Sequence, residues 1–465
     1  MIGQSVNREI LEDGVPMPGR VWAVLSSALT IFMSCIEGSI VNIALPVLAT
    51  QFKVSSSASI WIVNGYQLMT VMCLLSVSFL ADLKGFRKIY LSGIALFVLA
   101  SFMCAISNSF TMLVICSAFQ GIASAGIVGV NIGMLREIYP KRLLGRGIGI
   151  NAMVVSVAAV SGPSVAGAIL AVTSWHWLYA VNIPFGILAL FLGYRFLPRN
   201  EKRIKAEFDI WGAVLNALLF FLLIYSLMGY AHGEKTVFVL IQLAALPFVA
   251  VIYYRRECKM KNPIFPVDLM RVPIFARSVF TSNCSFAAQM LVLVSFPFFL
   301  QYVAGKSPAM TGLLITPWPV AVLITAPIAG FLLEKIHPGI LGFIGMTIFA
   351  GSLFAMTFLT PDSSSLRITV NLVACGIGFG LFQTPNNTTI VSTAPPERGG
   401  AASGMIGVAR LMGQCFGAAL VALLFKVIPD QTLSIKTCQY IAVGFAIFAA
   451  ALSISRVKYA VPGKK

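Results

Sequence analysis

Residues 21–50, VWAVLSSALTIFMSCIEGSIVNIALPVLAT, form an apolar run long enough to cross a bilayer, with one charge, Glu37, close to its middle. About 20 apolar residues, rising 1.5 Å each, span the hydrocarbon core. Glu37 therefore falls near the midplane, where a carboxylate costs on the order of 3 kcal/mol unless it is neutral or faces a wet cavity. An acid at that depth marks a path for ions or substrate by default.

The rest of the chain repeats the pattern. Of 465 residues, 58% are hydrophobic and 11% charged, and the mean hydropathy is +0.89. Soluble domains carry about 25% charged residues. The apolar runs do not alternate, so the spans are helices rather than barrel strands. We expect an all-α membrane protein of fourteen spans. Residues 1–19 form a polar tail, 20–200 an N-terminal six-helix bundle, and 201–257 a linker with two extra spans. Residues 258–277 form a loop, 278–456 a C-terminal six-helix bundle, and 457–465 a second tail.

Net charge is +17, but 26 of the 33 Lys and Arg residues fall in the tails and in the loops after even-numbered spans. That bias follows membrane topology and places both tails in the cytoplasm. Charge sorted in this way gives no nucleic-acid surface. The nine cysteines and three histidines, His176, His232 and His337, show no metal or disulfide spacing. No nucleophile–base set or phosphate-binding loop is present, so neither an enzyme nor a bound metal or cofactor is expected. The partners expected are the lipid bilayer, protons and cationic or amphiphilic small molecules, with the chain acting as a monomer.

The two ends of the chain resemble each other. GVNIGMLREIYPKRLLGRGIGINA, residues 129–152, and QTPNNTTIVSTAPPERGGAASGMIG, residues 383–407, each place Asn in a helix, then Pro-x-Arg, then a small-residue helix start. The pairs are Pro140 with Arg142 and Pro396 with Arg398. Spans one to six thus match spans nine to fourteen, the pattern of alternating-access transporters with a midplane site.

IEGSIVNIALP, Ile36–Pro46, resembles Leu-Asp-x-x-Ile-Val-Asn-x-Ala-Leu-Pro of the major facilitator superfamily, in its fourteen-span drug:proton antiporter branch. Trp61 and Tyr66, SWHWLYAVNIPFG at 174–186 and Thr316-Pro317-Trp318-Pro319 are similar too. In phrasing, the chain looks most like enterobacterial exporters of methyl viologen and quaternary ammonium biocides. The resemblance implies the facilitator fold in a bacterial inner membrane, and proton-coupled efflux of hydrophobic cations and dyes. The alternative is a dedicated metabolite exporter or a facilitator without proton coupling.

Motif by motif, the loop SFLADLKGFRK matches the family's Gly-x-Leu-Ala-Asp-Arg-x-Gly-Arg-Lys at Asp82, Gly85 and Lys88. The resemblance implies a cytoplasmic latch in which Asp82 meets the start of span thirteen near Gly399, and Arg87 or Lys88 pairs with Glu137. The bland reading is a basic turn that fixes topology. Gly162, Pro163 and Gly167 resemble the antiporter motif of span five, where a bent, close-packed helix resists leak. Simple helix packing fits the same residues. In span four Gln120 and Gly121 match, but Ser117 stands where the family has Arg. Gln120 either lines the cavity or joins two helices. Arg410, within span thirteen, needs a partner: it pairs with Glu37, donates to carbonyls or snorkels, and a packing role and a coupling role both fit.

Glu37 is the one deep acid of sixteen. The mechanism expected from sequence has Glu37 hold a proton or a cationic substrate, one at a time, so that competition gives antiport. Cavity candidates are Asn42, Tyr66, Gln120, Asn131, Gln289, Gln383, Asn386 and Asn387, with the rings of Phe119, Phe286 and Phe382.

Overall fold

The computed structural model describes residues 14–140, 143–199, 208–231, 235–260, 263–395 and 398–458. Arg142, His232, Pro396, residues 1–13 of the first tail and 459–465 of the second lie outside them. The described elements are helices and turns. Thirteen of these helices are long and apolar enough to cross a membrane, and a shorter apolar stretch, Ile210–Ser226, belongs to a further one.

In order, spans one to six are Gly19–Phe52, Trp61–Lys84, Phe86–Ala105, Phe110–Ile138, Leu144–Val172, and the pair His176–Ala180 and Asn182–Phe196. Spans seven and eight are Ile210–Ala231 and Thr236–Glu257. Span nine is Pro273–Phe298, continued by a wider turn over Phe299–Val303; span ten is split into Pro308–Ile315 and Pro317–Leu332. Spans eleven to fourteen are Pro338–Met356, Ser365–Thr393, Gly399–Val427 and Gln431–Ser455. Span nine thus begins five residues earlier than expected, inside what reads as loop, because Pro273 at its first turn is pre-set for helix.

Polar residues in the turns start several spans. Ser109 accepts from the N–H of Met112 at 3.2 Å, Ser307 from Met310 at 3.2 Å, and Asp430 from Thr432 and Leu433 at 2.8 and 3.1 Å. Each satisfies donors that a helix start leaves open, which matters where water is scarce. Between spans two and three, Gly85 takes a φ of +98° and its N–H bonds the Ala81 carbonyl at 2.8 Å. A side chain would strain that turn.

The halves share one packing scheme. In the first, span four packs on spans two and three, span six on three, and span one on five and six. In the second, span twelve packs on ten and eleven, fourteen on eleven, and nine on thirteen and fourteen. Adding eight to each span number converts one set into the other. Spans seven and eight stand outside this scheme. Span seven lies against spans two and thirteen, and span eight packs on seven.

Asp209, at the foot of span seven, ties this pair together. Its carboxylate accepts from Arg256 at 2.6 and 3.1 Å and from the Gly212 N–H at 2.9 Å. Burial works to raise the Asp209 carboxyl, but these donors outweigh it and hold it below the ordinary aspartate range. A group depressed in this way stabilises the fold above its unfolded value, about 3.9, and stops doing so as pH falls through its folded value. Thermal unfolding should therefore show an acid-dependent loss of stability that Asp209→Asn lacks, the variant being less stable than the parent at neutral pH. Parallel pH profiles would remove this role.

Candidate functional site

A cavity of about 260 Å³ lies between the halves, walled by spans one, two, four and five on one side and nine, ten, twelve and thirteen on the other. Span one contributes Ser34, Cys35, Gly38, Ser39 and Asn42. These recur as neighbours on one helical stripe. At 100° per residue, Glu37 lies roughly 130° around the helix from the centre of that stripe.

The structure accordingly turns Glu37 away from the cavity and into the amino-terminal half. Its Oε2 accepts from Asn182 Nδ2 of span six at 2.6 Å, and the Gln120 amide also reaches the carboxyl. Gln120 also donates to Ser101 Oγ at 3.0 Å. Ser117 and Cys104, 3.9 Å apart, complete the surroundings with Tyr179. Where the family has Arg, Ser117 brings no charge, and an amide, Asn182, is the partner instead. Two expectations change. Proton and substrate cannot exchange places on one carboxylate that does not face the cavity. Nor does Arg410 pair with Glu37: it lines the cavity, the one charged residue to do so among the described residues.

Beside the span-one stripe, Tyr66 is fixed by a polar knot. Its hydroxyl donates to Ser124 Oγ at 2.8 Å, and Ser124 and Ser34 hydroxyls are 2.6 Å apart. Asn42, Tyr66, Gln289 and Gln383 all line the cavity, as does Phe286. Sequence reasoning missed Gln67, Gln414, Trp318 and Phe379, which line it too.

The other candidates lie elsewhere. Asn131 joins three helices: its Oδ1 accepts from Ser27 Oγ at 3.0 Å and its Nδ2 donates to Asn151 at 2.7 Å. Asn386 does the corresponding work in the second half. It donates to Ser282 Oγ at 2.8 Å and accepts from Arg456 at 2.5 Å. Arg456, the last residue of the C-terminal bundle, is 1% exposed and also donates to Ser278 and Ser453 at 2.8 and 2.7 Å. These asparagines satisfy their amides between helices, which removes them from the cavity wall. Asn387 is half-buried and outside the wall. Phe119 is 49% exposed on the outer face, and Phe382 is buried within its own half.

At the turn, Asp82 is half-buried and faces Arg136 of span four. Arg87 donates to the Tyr194 carbonyl at 2.5 Å, with its guanidinium 5.6 Å above the Tyr194 ring. It thereby joins spans three and six. Lys88 is exposed, and Glu137 sits in the last turn of span four.

The halves close on each other where span one ends. Tyr302 Oη donates to the Pro46 carbonyl at 2.5 Å, and Gln301 to that of Ile43 at 3.0 Å. Ser57 bonds the Ala422 carbonyl at 2.7 Å, and Ser164 and Thr316 hydroxyls are 2.6 Å apart. Around Pro163 the backbones touch. A Cβ on Gly312 would fall deep inside the Pro163 carbonyl, and one on Gly167 would stand 3.0 Å from Ala309 Cα. A Cβ on Gly162 would press Ser39 of span one at 2.5 Å.

Two matched helix bundles around a central cavity, sealed at one end, define a membrane transporter of the alternating-access kind. The family model for the Major Facilitator Superfamily matches residues 27–418, and the chain belongs to that family. It is 45% identical over 97% of its length to the uncharacterized transporter YebQ of Escherichia coli, covering 98% of that protein. It is 29% identical over 86% of its length to the multidrug resistance protein Stp of Mycobacterium tuberculosis, covering 74% of it. Its fold matches a bacterial homolog of the human lysosomal transporter Spinster, in an inward-facing, unoccupied conformation. The TM-score is 0.70, with 16% identity over 95% of this chain and 98% of that one.

Proposed function

We propose that the chain exports amphipathic small molecules across the bacterial inner membrane by proton-linked alternating access, working as a monomer with both tails in the cytoplasm. The observation that carries this reading is the cavity between the halves, closed at the Pro46–Tyr302 end. With the tails inside, that end is the outer one, and the cavity of this conformation belongs to the cytoplasmic side. Export rather than uptake is supported by the Gly162–Pro163–Gly167 seam and by relatives named as multidrug resistance proteins.

Glu37 is the proton-linked group of this scheme. It stands behind the cavity wall, against Asn182, so its charge acts through the packing of span one on spans four and six. A proton removes the charge that burial penalises and loosens the demand for the Asn182 bond. Span one carries that change to the cavity, because Cys35 and Gly38, beside Glu37 in sequence, are in its wall.

In everted membrane vesicles energised by respiration, chain-dependent accumulation of amphipathic aromatic compounds is expected, collapsing when a protonophore is added. Accumulation that survives the protonophore would remove the proton link. No accumulation of any compound would remove export.

A further inference from the structure

The proposal here rests on the export reading and names the substrate class of the same cavity. We propose that the cavity is built for aromatic organic anions, with a carboxylate or similar monoanionic head held by Arg410.

Arg410 brings a full positive charge to the wall, and among the described residues it makes no hydrogen bond or ion pair. Among the described residues no acid lines the cavity: the deep carboxylate, Glu37, is occupied by Asn182 on the far side of span one. A cation entering would meet a like charge with nothing to offset it. An anion would supply the counter-charge that this guanidinium lacks, and guanidinium presents a fork suited to a carboxylate.

The surroundings fit the same ligand. The Gln289, Gln383 and Gln414 amides line the cavity without hydrogen-bond partners of their own among the described residues. Amide N–H groups can complete the coordination of an anionic head. Phe286 and Phe379, in edge contact with centroids 5.3 Å apart, and Trp318 offer apolar surface for a flat ring system. Ring faces attract cations, but only by about 0.5–2 kcal/mol, against which stands the like charge of an unpaired guanidinium.

The charge has a consequence for energetics. Exchange of one monoanion outward for one proton inward moves two charges, and both the pH difference and the membrane potential drive it. Exchange of a monocation for a proton is electroneutral.

The test uses the full-length chain in proteoliposomes and three matched probes: 2-naphthoxyacetate, its quaternary-ammonium analogue and neutral 2-naphthoxyethanol. Under an imposed pH gradient, transport of the anion is expected, faster when an inside-negative potential on the substrate side is added. Arg410→Gln should weaken its apparent affinity about ten- to a hundredfold, the range of a hydrogen bond to a charged group, and Arg410→Lys less. Binding of the neutral probe should change little, which shows that the variants fold. Transport of the cation or the neutral probe in preference to the anion, or an Arg410→Gln variant with undiminished affinity for the anion, would overturn the anion proposal and leave export standing. Movement of none of the three would overturn export as well.

Discussion

Glu37→Gln should abolish gradient-driven accumulation while leaving the cavity able to bind substrate. Gln keeps the shape of the side chain, and its carbonyl oxygen can still accept from Asn182, now at 2.6 Å from the carboxylate. What it loses is the ability to take and release a proton. Because Glu37 does not line the cavity, substrate affinity in detergent should stay near that of the parent. Accumulation should fall to the level reached without a gradient, whereas downhill exchange persists. Two measurements, equilibrium binding and uphill transport, separate this from direct competition on the carboxylate, in which affinity would change along with coupling. Normal pumping by Glu37→Gln would end the role assigned to this residue.

Gly312→Ala is expected to shift the transporter toward states open at the outer end. The added Cβ meets the Pro163 carbonyl across the boundary between halves. An overpacked contact costs about 1–3 kcal/mol, which is roughly a tenfold to hundredfold change in the ratio of two states. Here the molecule can relieve the clash by rocking the halves apart. Gly121 supplies the control. A Cβ there meets the Tyr66 carbonyl, but within one half, so no rocking relieves it. Gly121→Ala should lower the unfolding temperature without favouring either state. Distances between spin labels on spans one and nine, at the Thr50 and Tyr302 ends, report the population. A Gly312→Ala variant that only lowers thermal stability would remove the seam as the outer gate.

Much of this architecture is legible from the chain. Charge sorted by loop, fourteen apolar runs and the shared Asn…Pro-x-Arg phrasing suffice for the helical two-half fold, and the resemblance of Ile36–Pro46 and the other motifs points to the family. The site was harder to read, and Glu37 shows why. Its depth is plain from residue counting, but the side it faces is a matter of helical phase. Asn42 lies five residues on, about 140° around the helix, so the two could not share one cavity. That constraint was available in the sequence. The identity of the partner was not: Asn182 comes from span six, 145 residues away, and only the fold brings it to the carboxyl. Nothing in the sequence singles out Arg456: it is a cation at the end of an apolar run, and nothing local shows that Ser278 and Asn386 will enclose it.

Span seven touches both halves, and its two faces differ. Toward span two it is fastened: Asn216 donates to the Met72 carbonyl at 3.2 Å, and Tyr225 stands 5.6 Å from Trp61. Toward span thirteen, its Phe220 and Ile224 belong to the same apolar cluster as the small residues Cys415, Ala418, Ala419 and Ala422. Span seven packs on both halves, so any rocking of one half against the other has to be accommodated along it. The two extra helices thus flank one side of the joint between the halves.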